Sequence, residues 1–225
     1  MRGSLYLLLK PLLAAIFRVA VRSCVLGAEH TRRQGAYLLV VAHLSHNDPI
    51  PVSAVSVREV DWMARQEAFD TRLGARFMRL MGSFAIVRTG EGLFARPGLR
   101  EALGRLDEGR VVGVFPEAEV MSGERSVLNG GPYRLGAFWL ARRARVPIVP
   151  CVVLGSGCFS RPTSWLPLKQ ARVWVAYGPP IEPNLDVELS REGRQQLGQC
   201  VAASLRSLHA ELATTFELPA ETRLV

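Results

Sequence analysis

The sequence lacks the cysteine patterns of a metal site or a disulfide framework. Its four cysteines are scattered, with no CxxC pair and no histidine at ligand spacing, so neither a zinc site nor disulfides are expected. The sequence also has no G-x-S-x-G nucleophile elbow, which argues against a serine acyl-enzyme. Cys151 lies in an apolar run and is expected to be a small buried hydrophobe.

The sequence contains no uninterrupted apolar run of the length that spans a bilayer. Its most apolar segment, residues 5–26, is interrupted by Lys10, Pro11, Arg18 and Arg22, whereas a spanning helix needs about 20 predominantly apolar residues. On a helix the three cations fall within one third of the circumference. We therefore expect an interfacial helix with its cations toward anionic headgroups. The alternative is an amphipathic helix packed on the protein's own core.

Acidic residues are the minority among the charged side chains. The chain has 28 Lys+Arg against 20 Asp+Glu, a formal net charge of +8. This excess suits an anionic partner, which could be nucleic acid, a membrane surface or a phosphorylated substrate. The basic residues are spread along the whole chain without a helix-turn-helix, zinc-finger or RRM signature, so we expect no nucleic-acid partner.

Short apolar runs alternate with helical patterns along most of the chain. YLLVVAH (37–43), RVVGVFP (110–116) and VPIVPCVVLG (146–155) are examples of such runs. The alternation predicts an α/β fold with a largely parallel sheet flanked by helices. We expect an N-terminal amphipathic, membrane-associating helical segment over residues 1–30 and a single domain over residues 31–225.

Unusual residues cluster in loops that follow predicted strands, where α/β folds usually place their sites. One such loop contains His43 and Asp48. Taken alone, Asp48 before Pro49 could simply cap a helix. If the turn folds back, however, the Asp48 carboxylate would orient His43 as a general base, as in serine hydrolase triads. We expect Ser45 to hydrogen-bond within the turn and not to act as a nucleophile.

Five short blocks in this sequence resemble those of the glycerolipid acyltransferases, the group typified by 1-acylglycerol-3-phosphate acyltransferase. AHLSHND resembles the H-x-x-x-x-D block, and FAIVR (84–88) resembles the second block. The others are VFPEAE (114–119), similar to F-P-E-G-T-R, VPIVPCVV (146–153), similar to V/I-P-I-x-P, and VAYGPPI (175–181), which contains G-P-P-I. Each block is short, but all five occur in the family order over roughly residues 37–181, and this order makes the resemblance specific.

The resemblance implies a role for each matching residue. His43 would be the general base and Asp48 its orienting partner. Arg88 would lie near the acceptor headgroup, where its planar guanidinium suits a phosphate. Glu117 would position the acceptor or the neighbouring loop. Two prolines, Pro147 and Pro150, would shape the strand beside the site, although prolines also occur simply at edge strands.

The sequence departs from the family pattern in two blocks. Position 42 is Ala where the family often has Asn. Residues 118–120 are Ala-Glu-Val where the family has Gly-Thr-Arg, so an arginine that could meet an anionic acceptor is missing. Arg125 could substitute for it if the loop folds back.

The implied reaction is transfer of a fatty acyl group from acyl-CoA or acyl carrier protein to a lipid hydroxyl. The expected acceptor is 1-acylglycerol-3-phosphate, in phospholipid synthesis at the cytoplasmic face of the cell membrane, with the enzyme bound peripherally or monotopically. Such an O-acyltransferase would need neither a metal nor an organic cofactor. Three alternatives remain: a lysolipid acceptor without phosphate, a catalytically silent membrane-surface protein, and a thioesterase.

Overall fold

The computed structural model describes residues 15, 17, 19–80, 82–86, 97–165, 171–184 and 190–218. Within these ranges there are seven strands: β1 (Val21–Leu26), β2 (Tyr37–Val41), β3 (Val60–Arg65), β4 (Phe84–Ile86), β5 (Val111–Val114), β6 (Ile148–Leu154) and β7 (Ala171–Tyr177). The α-helices of the same ranges are α1 (Pro49–Val55), α2 (Arg72–Leu80), α3 (Pro97–Asp107), α4 (Gly136–Ala144) and α5 (Arg191–Thr215).

The strands form one sheet in the order β1-β7-β6-β2-β5-β3-β4. Among the described strand pairs, only β6 and β7 run antiparallel. The predicted α/β fold with a largely parallel sheet is therefore confirmed. Since β2, β3, β5 and β6 run in the same direction, their carboxyl ends meet along one edge of the sheet, and the loops that follow them lie close together.

One part of the N-terminal prediction was wrong. Residues 21–26, which we expected to be helical, form the edge strand β1, parallel to β7. No glycine or proline separates the helical residues from this strand, and pairing of β1 to β7 satisfies backbone groups of β7 that would otherwise form an open edge. The predicted boundary after residue 30 therefore cuts into the sheet of the main domain.

Only a small part of the predicted interfacial helix is described. Residues 15, 17, 19 and 20 are helical. Phe17 and Ala20 are buried against a cluster that includes Phe159 and Val173, whereas Val19 is 62% exposed. Residues 1–14 and Arg18 lie outside the described residues, and the membrane role of this segment stays a prediction. Within the described ranges, no helix is both long and apolar enough to cross a bilayer.

The sheet is covered on both faces, as expected for parallel strands. Alternate residues of β2 show this directly, since Leu38 and Val40 join one core cluster while Leu39 and Val41 join another, all with no exposed surface. Helices α3, α4 and α5 contribute to the first cluster and α1 to the second. The apolar continuity of β2 thus follows from burial on both faces.

Strand β6 occupies an interior position in the sheet, so neither Pro150 within it nor Pro147 just before it marks an edge strand. The carbonyl of Pro147 accepts a hydrogen bond from Leu38 N (2.9 Å), and the carbonyl of Pro150 accepts one from Gly178 N (2.9 Å). Gly178 begins the G-P-P-I stretch, which leads to a bridge between Ile181 and Ile148 at the start of β6. The stretch therefore lies at the edge of the sheet opposite to the carboxyl ends of β2 and β6.

Candidate active site

His43 and Asp48 are brought together by the turn that connects β2 to α1. Pro49 begins α1, and Asp48 N donates to Ser45 O (3.1 Å), which closes a tight turn. His43 Nδ1 then lies 3.0 Å from Asp48 Oδ2. Because Asp48 is completely buried, its carboxylate holds the imidazole in one orientation, and Nε2 remains for a group in the adjoining cavity.

The Asp48 carboxylate does not serve as a helix cap. Although Asp48 occupies the N-cap position, no capping hydrogen bond from its side chain to α1 is present in the described structure. Its Oδ2 atom instead accepts the backbone N–H groups of Leu44 (2.8 Å) and Ser45 (2.9 Å), and its Oδ1 atom accepts the hydroxyl of Ser156. The geometry thus favours the orienting role over the capping role.

Ser45 behaves as the sequence predicts. Its Oγ accepts the backbone N–H of Asn47 (3.2 Å) inside the turn. The Asn47 amide donates to Ser160 Oγ (3.0 Å), which links the turn to the segment after β6. Ser45 therefore helps to shape the loop that holds the His–Asp pair.

An aromatic stack fixes the plane of the imidazole. The ring of Phe115 stacks on His43 with centroids 3.8 Å apart, and it also stacks on Trp62 with centroids 5.2 Å apart. Trp62 is buried, and its Nε1 donates to Ser53 Oγ (2.8 Å). The two rings leave the imidazole little freedom to tilt away from Asp48.

Glu117 contacts the backbone of His43 and does not contact its imidazole through a hydrogen bond in the described structure. Its carboxylate accepts the backbone N–H of His43 (3.3 and 3.4 Å to the two oxygens) and that of Val127 (3.5 Å). Burial raises the pKa of Glu117 above its ordinary value, while the backbone N–H donors partly oppose this rise. Of the two roles implied for Glu117, the contacts match positioning of the neighbouring loop.

A cavity of about 1110 Å³ opens in front of His43. Much of its described wall is apolar and comes from the sheet and from α2, α3 and α4, with residues such as Met63, Met78, Leu99 and Leu140. This wall gives an aliphatic chain an apolar environment next to the imidazole. Among the described residues, no group of three or more His, Cys, Asp or Glu side chains could hold a metal ion.

The arginines of the cavity wall differ from those that the sequence suggested. Arg65, Arg134 and Arg194 line the cavity. Arg125 is exposed on a short 3-10 turn (Gly123–Arg125) and is not part of the described wall. Arg88 lies outside the described residues, so its role stays a prediction.

The negative charge of the altered third block is compensated by a cation from another strand. Glu119 pairs with Arg65 (2.8 Å), and the same guanidinium nitrogen lies 3.2 Å from the Ala118 carbonyl. The negative charge that replaces the family pattern at position 119 is therefore balanced by a cation from the end of β3. This cation reaches the third-block loop because β3 pairs with β5.

Three residues of this site were not found from the sequence. Phe115 lies in the third block but was assigned no role, and Arg65 and Ser156 lie outside all five blocks. Ser156 meets Asp48 across 108 positions in the chain. The order of the strands, which the sequence did not reveal, brings Phe115 to His43, Ser156 to Asp48 and Arg65 to the cavity wall.

Comparison with known proteins agrees with this geometry. Residues 22–154 match the acyltransferase family. The fold is similar to the crystal structure of the 1-acyl-sn-glycerophosphate (LPA) acyltransferase PlsC from Thermotoga maritima, with a TM-score of 0.61 and 20% identity, over 88% of this chain and 80% of that chain. No curated protein sequence gave a match.

The match covers more than half of the chain, and this chain belongs to the acyltransferase family. The family resemblance that the five blocks indicated is thereby confirmed. The protein is an acyltransferase whose fold is shared with PlsC.

Proposed function

We propose that this acyltransferase transfers a fatty acyl group from an acyl thioester to the hydroxyl of a glycerolipid, with His43 as general base and Asp48 as its orienting partner. One observation carries the proposal. The buried Asp48 carboxylate lies 3.0 Å from Nδ1 of His43, and His43 lines an apolar cavity large enough for a lipid.

The arrangement supports the following steps. Nε2 of His43 accepts the proton of the acceptor hydroxyl while that oxygen attacks the thioester carbonyl carbon. The C–S bond then breaks, an ester forms, and the departing thiolate receives the proton from Nε2. Asp48 stabilises the imidazolium that exists between these two proton transfers. General-base assistance of this kind contributes about 10²–10⁴-fold in rate.

The proposed acceptor is 1-acylglycerol-3-phosphate. Arg65 and Arg134 line the cavity that contains His43, and the Arg65 side chain is 45% exposed despite its pairing with Glu119. A guanidinium suits a phosphate because its planar donors can bind two oxygens at once. These arginines would supply the positive charge that the third block lacks at position 120.

We place the protein at a membrane surface, on the cytoplasmic face. The apolar, arginine-containing segment before β1 supports this placement, and helix α2 adds to it. Arg72, Arg76 and Arg79 are exposed and share one face of α2 by their spacing, and Leu73 beside them is 80% exposed. Met78 of the same helix lines the cavity, so this surface lies next to the proposed lipid site. The free cysteines suit a reducing compartment.

The experiment that tests this function supplies one labelled acyl thioester with a panel of acceptors. Acyl-CoA and acyl carrier protein are compared as donors, and lysophosphatidate is compared with lysophosphatidylcholine and monoacylglycerol as acceptors. We expect labelled ester with lysophosphatidate in excess over the others. Labelled free fatty acid without ester would indicate a thioesterase, and no turnover of any combination would indicate a silent protein.

A further inference from the structure

Ser156 connects the segment after β6 to the proposed catalytic pair. It is 3% exposed, and its hydroxyl donates to Asp48 Oδ1 at 2.5 Å. The preceding residue, Gly155, turns the chain in the left-handed region (φ 82°), and a Cβ there would lie 2.5 Å from the Arg172 carbonyl. The turn that directs Ser156 toward Asp48 therefore depends on glycine at position 155.

The hydrogen bonds of Asp48 are divided between its two oxygens. Oδ2 accepts from His43 and from the turn backbone, whereas Oδ1 accepts from Ser156 in the part of the chain that the structure describes. A buried carboxylate oxygen that loses its donor is costly, and the group can then rotate to find another. The Ser156 hydroxyl thus fixes the rotation of the carboxylate and, through it, the direction of the imidazole.

We propose that Ser156 is a positioning residue for acyl transfer, acting through Asp48 on His43. The inference rests on the proposed function of the His43–Asp48 pair. Ser156 is not part of the described cavity wall, so it should affect the rate of the chemical step and leave substrate binding unchanged.

The effect should also be visible in the pH dependence. An O–H group that points at a carboxylate opposes proton uptake by the coupled pair, so its removal makes the pair take up a proton at higher pH. The other titratable groups around the pair are Glu117 behind His43, Cys151 on β6, whose buried thiol interacts electrostatically with Asp48, and His46 beside His43. None of these is altered by a change at position 156.

The test compares Ser156→Ala, Ser156→Thr and Ser164→Ala in steady-state acyl transfer across pH. Ser164 is a matched control, since it is 9% exposed and donates to the Cys158 carbonyl (2.7 Å) in the same region. For Ser156→Ala we expect kcat about tenfold lower, KM within about twofold of the parent, and an acid limb displaced to higher pH. Ser156→Thr, which keeps the hydroxyl, should restore most of the rate, and Ser164→Ala should match the parent.

Three results would overturn the proposal. One is a parental rate and pH profile for Ser156→Ala. Another is an equal loss in the Ala and Thr variants with an unmoved acid limb, which would indicate packing alone. If Ser156→Ala does not fold, Ser156→Cys, a weaker donor of similar size, must show an intermediate rate, and a parental rate would count against the role. Retained activity of His43→Ala would instead remove the proposed dyad itself, and with it the basis of this role.

Discussion

The carboxylate of Glu117 accepts the backbone N–H of His43 although the two residues lie 74 positions apart in the chain. The first and third sequence blocks are therefore joined by direct hydrogen bonds. Since Glu117 also accepts the N–H of Val127, one buried side chain fixes both the start of the turn from His43 to Asp48 and the third-block loop. Its effect on catalysis is expected to be indirect, through the position of the His43 backbone.

Glu117→Gln should change how stability depends on pH. Burial raises the pKa of Glu117 in the folded state above its ordinary value, so this residue favours folding at pH values below its unfolded pKa. That contribution is lost as the pH rises through the raised pKa. The free energy of unfolding of the parent, relative to the variant, should therefore fall from acid toward neutral pH. A difference that stays constant over this range in denaturant titrations would contradict the assignment.

Ala118→Gly should stabilise the protein. Ala118 has φ 63°, in the left-handed region, which costs an L-residue about 1–2 kcal/mol relative to the right-handed one. After the larger entropy of glycine in the unfolded chain is deducted, we expect a gain of about 0.5–1 kcal/mol. Ala203→Gly, on the exposed side of α5, is the control and should destabilise by about 1 kcal/mol. Chemical denaturation measures both, and a loss of stability in Ala118→Gly would contradict the prediction.

Arg65→Ala should weaken the recognition of phosphorylated acceptors. We expect KM for lysophosphatidate to rise about tenfold, the effect of losing one charge-assisted hydrogen bond, while KM for monoacylglycerol changes little. Arg125→Ala removes an exposed arginine that is outside the described cavity wall and should leave both values unchanged. If Arg125→Ala raised the lysophosphatidate KM and Arg65→Ala did not, the third-block loop would supply the cation as first expected from the sequence.

Replacement of Arg72, Arg76 and Arg79 by Gln should reduce binding to vesicles that contain anionic lipid. Each basic residue near such a surface contributes about 1 kcal/mol, so we expect a substantial loss of vesicle binding in the variant. Added salt should weaken the binding of the parent and so reduce the difference between the two proteins. Vesicle sedimentation with anionic and with purely zwitterionic lipid measures the effect. Gln substitutions at the exposed Arg143, Arg145 and Arg206 provide a comparison of equal charge change. An equal loss in both variants would mean that net charge, and not the α2 surface, governs binding.

Local signals in the sequence were sufficient for most of the secondary structure. The runs at β2, β5 and β6 and the helices between them were predicted because parallel strands buried on both faces have continuous apolar sequences. Segment 21–26 was misread because VRSCVL continues an apolar helical pattern, and its pairing with β7, about 150 positions away, leaves no local signal. Long-range pairing also explains why the strand order could not be predicted.

In the candidate active site, too, contacts between residues near in the chain could be predicted and contacts between distant residues could not. His43 and Asp48 are five positions apart, so a single turn explains their contact, and the sequence could predict it. Ser156 and Arg65 reach the site from other strands through the pairing of β6 with β2 and of β3 with β5. The sequence also gave no sign that the charge of Glu119 is balanced, because its partner Arg65 lies at the end of β3 and reaches it through the pairing of β3 with β5.

The central claim is that His43 is the general base and that Asp48 orients it. The most direct measurement is the initial rate of acyl transfer from labelled acyl thioester to lysophosphatidate by the parent, His43→Ala and Asp48→Asn, each shown to be folded by circular dichroism. We predict that both variants lose about 10²–10⁴-fold in kcat, since one lacks the base and the other presents it in the wrong tautomer. A His43→Ala variant that is folded and transfers acyl groups at the parental rate would contradict the mechanism.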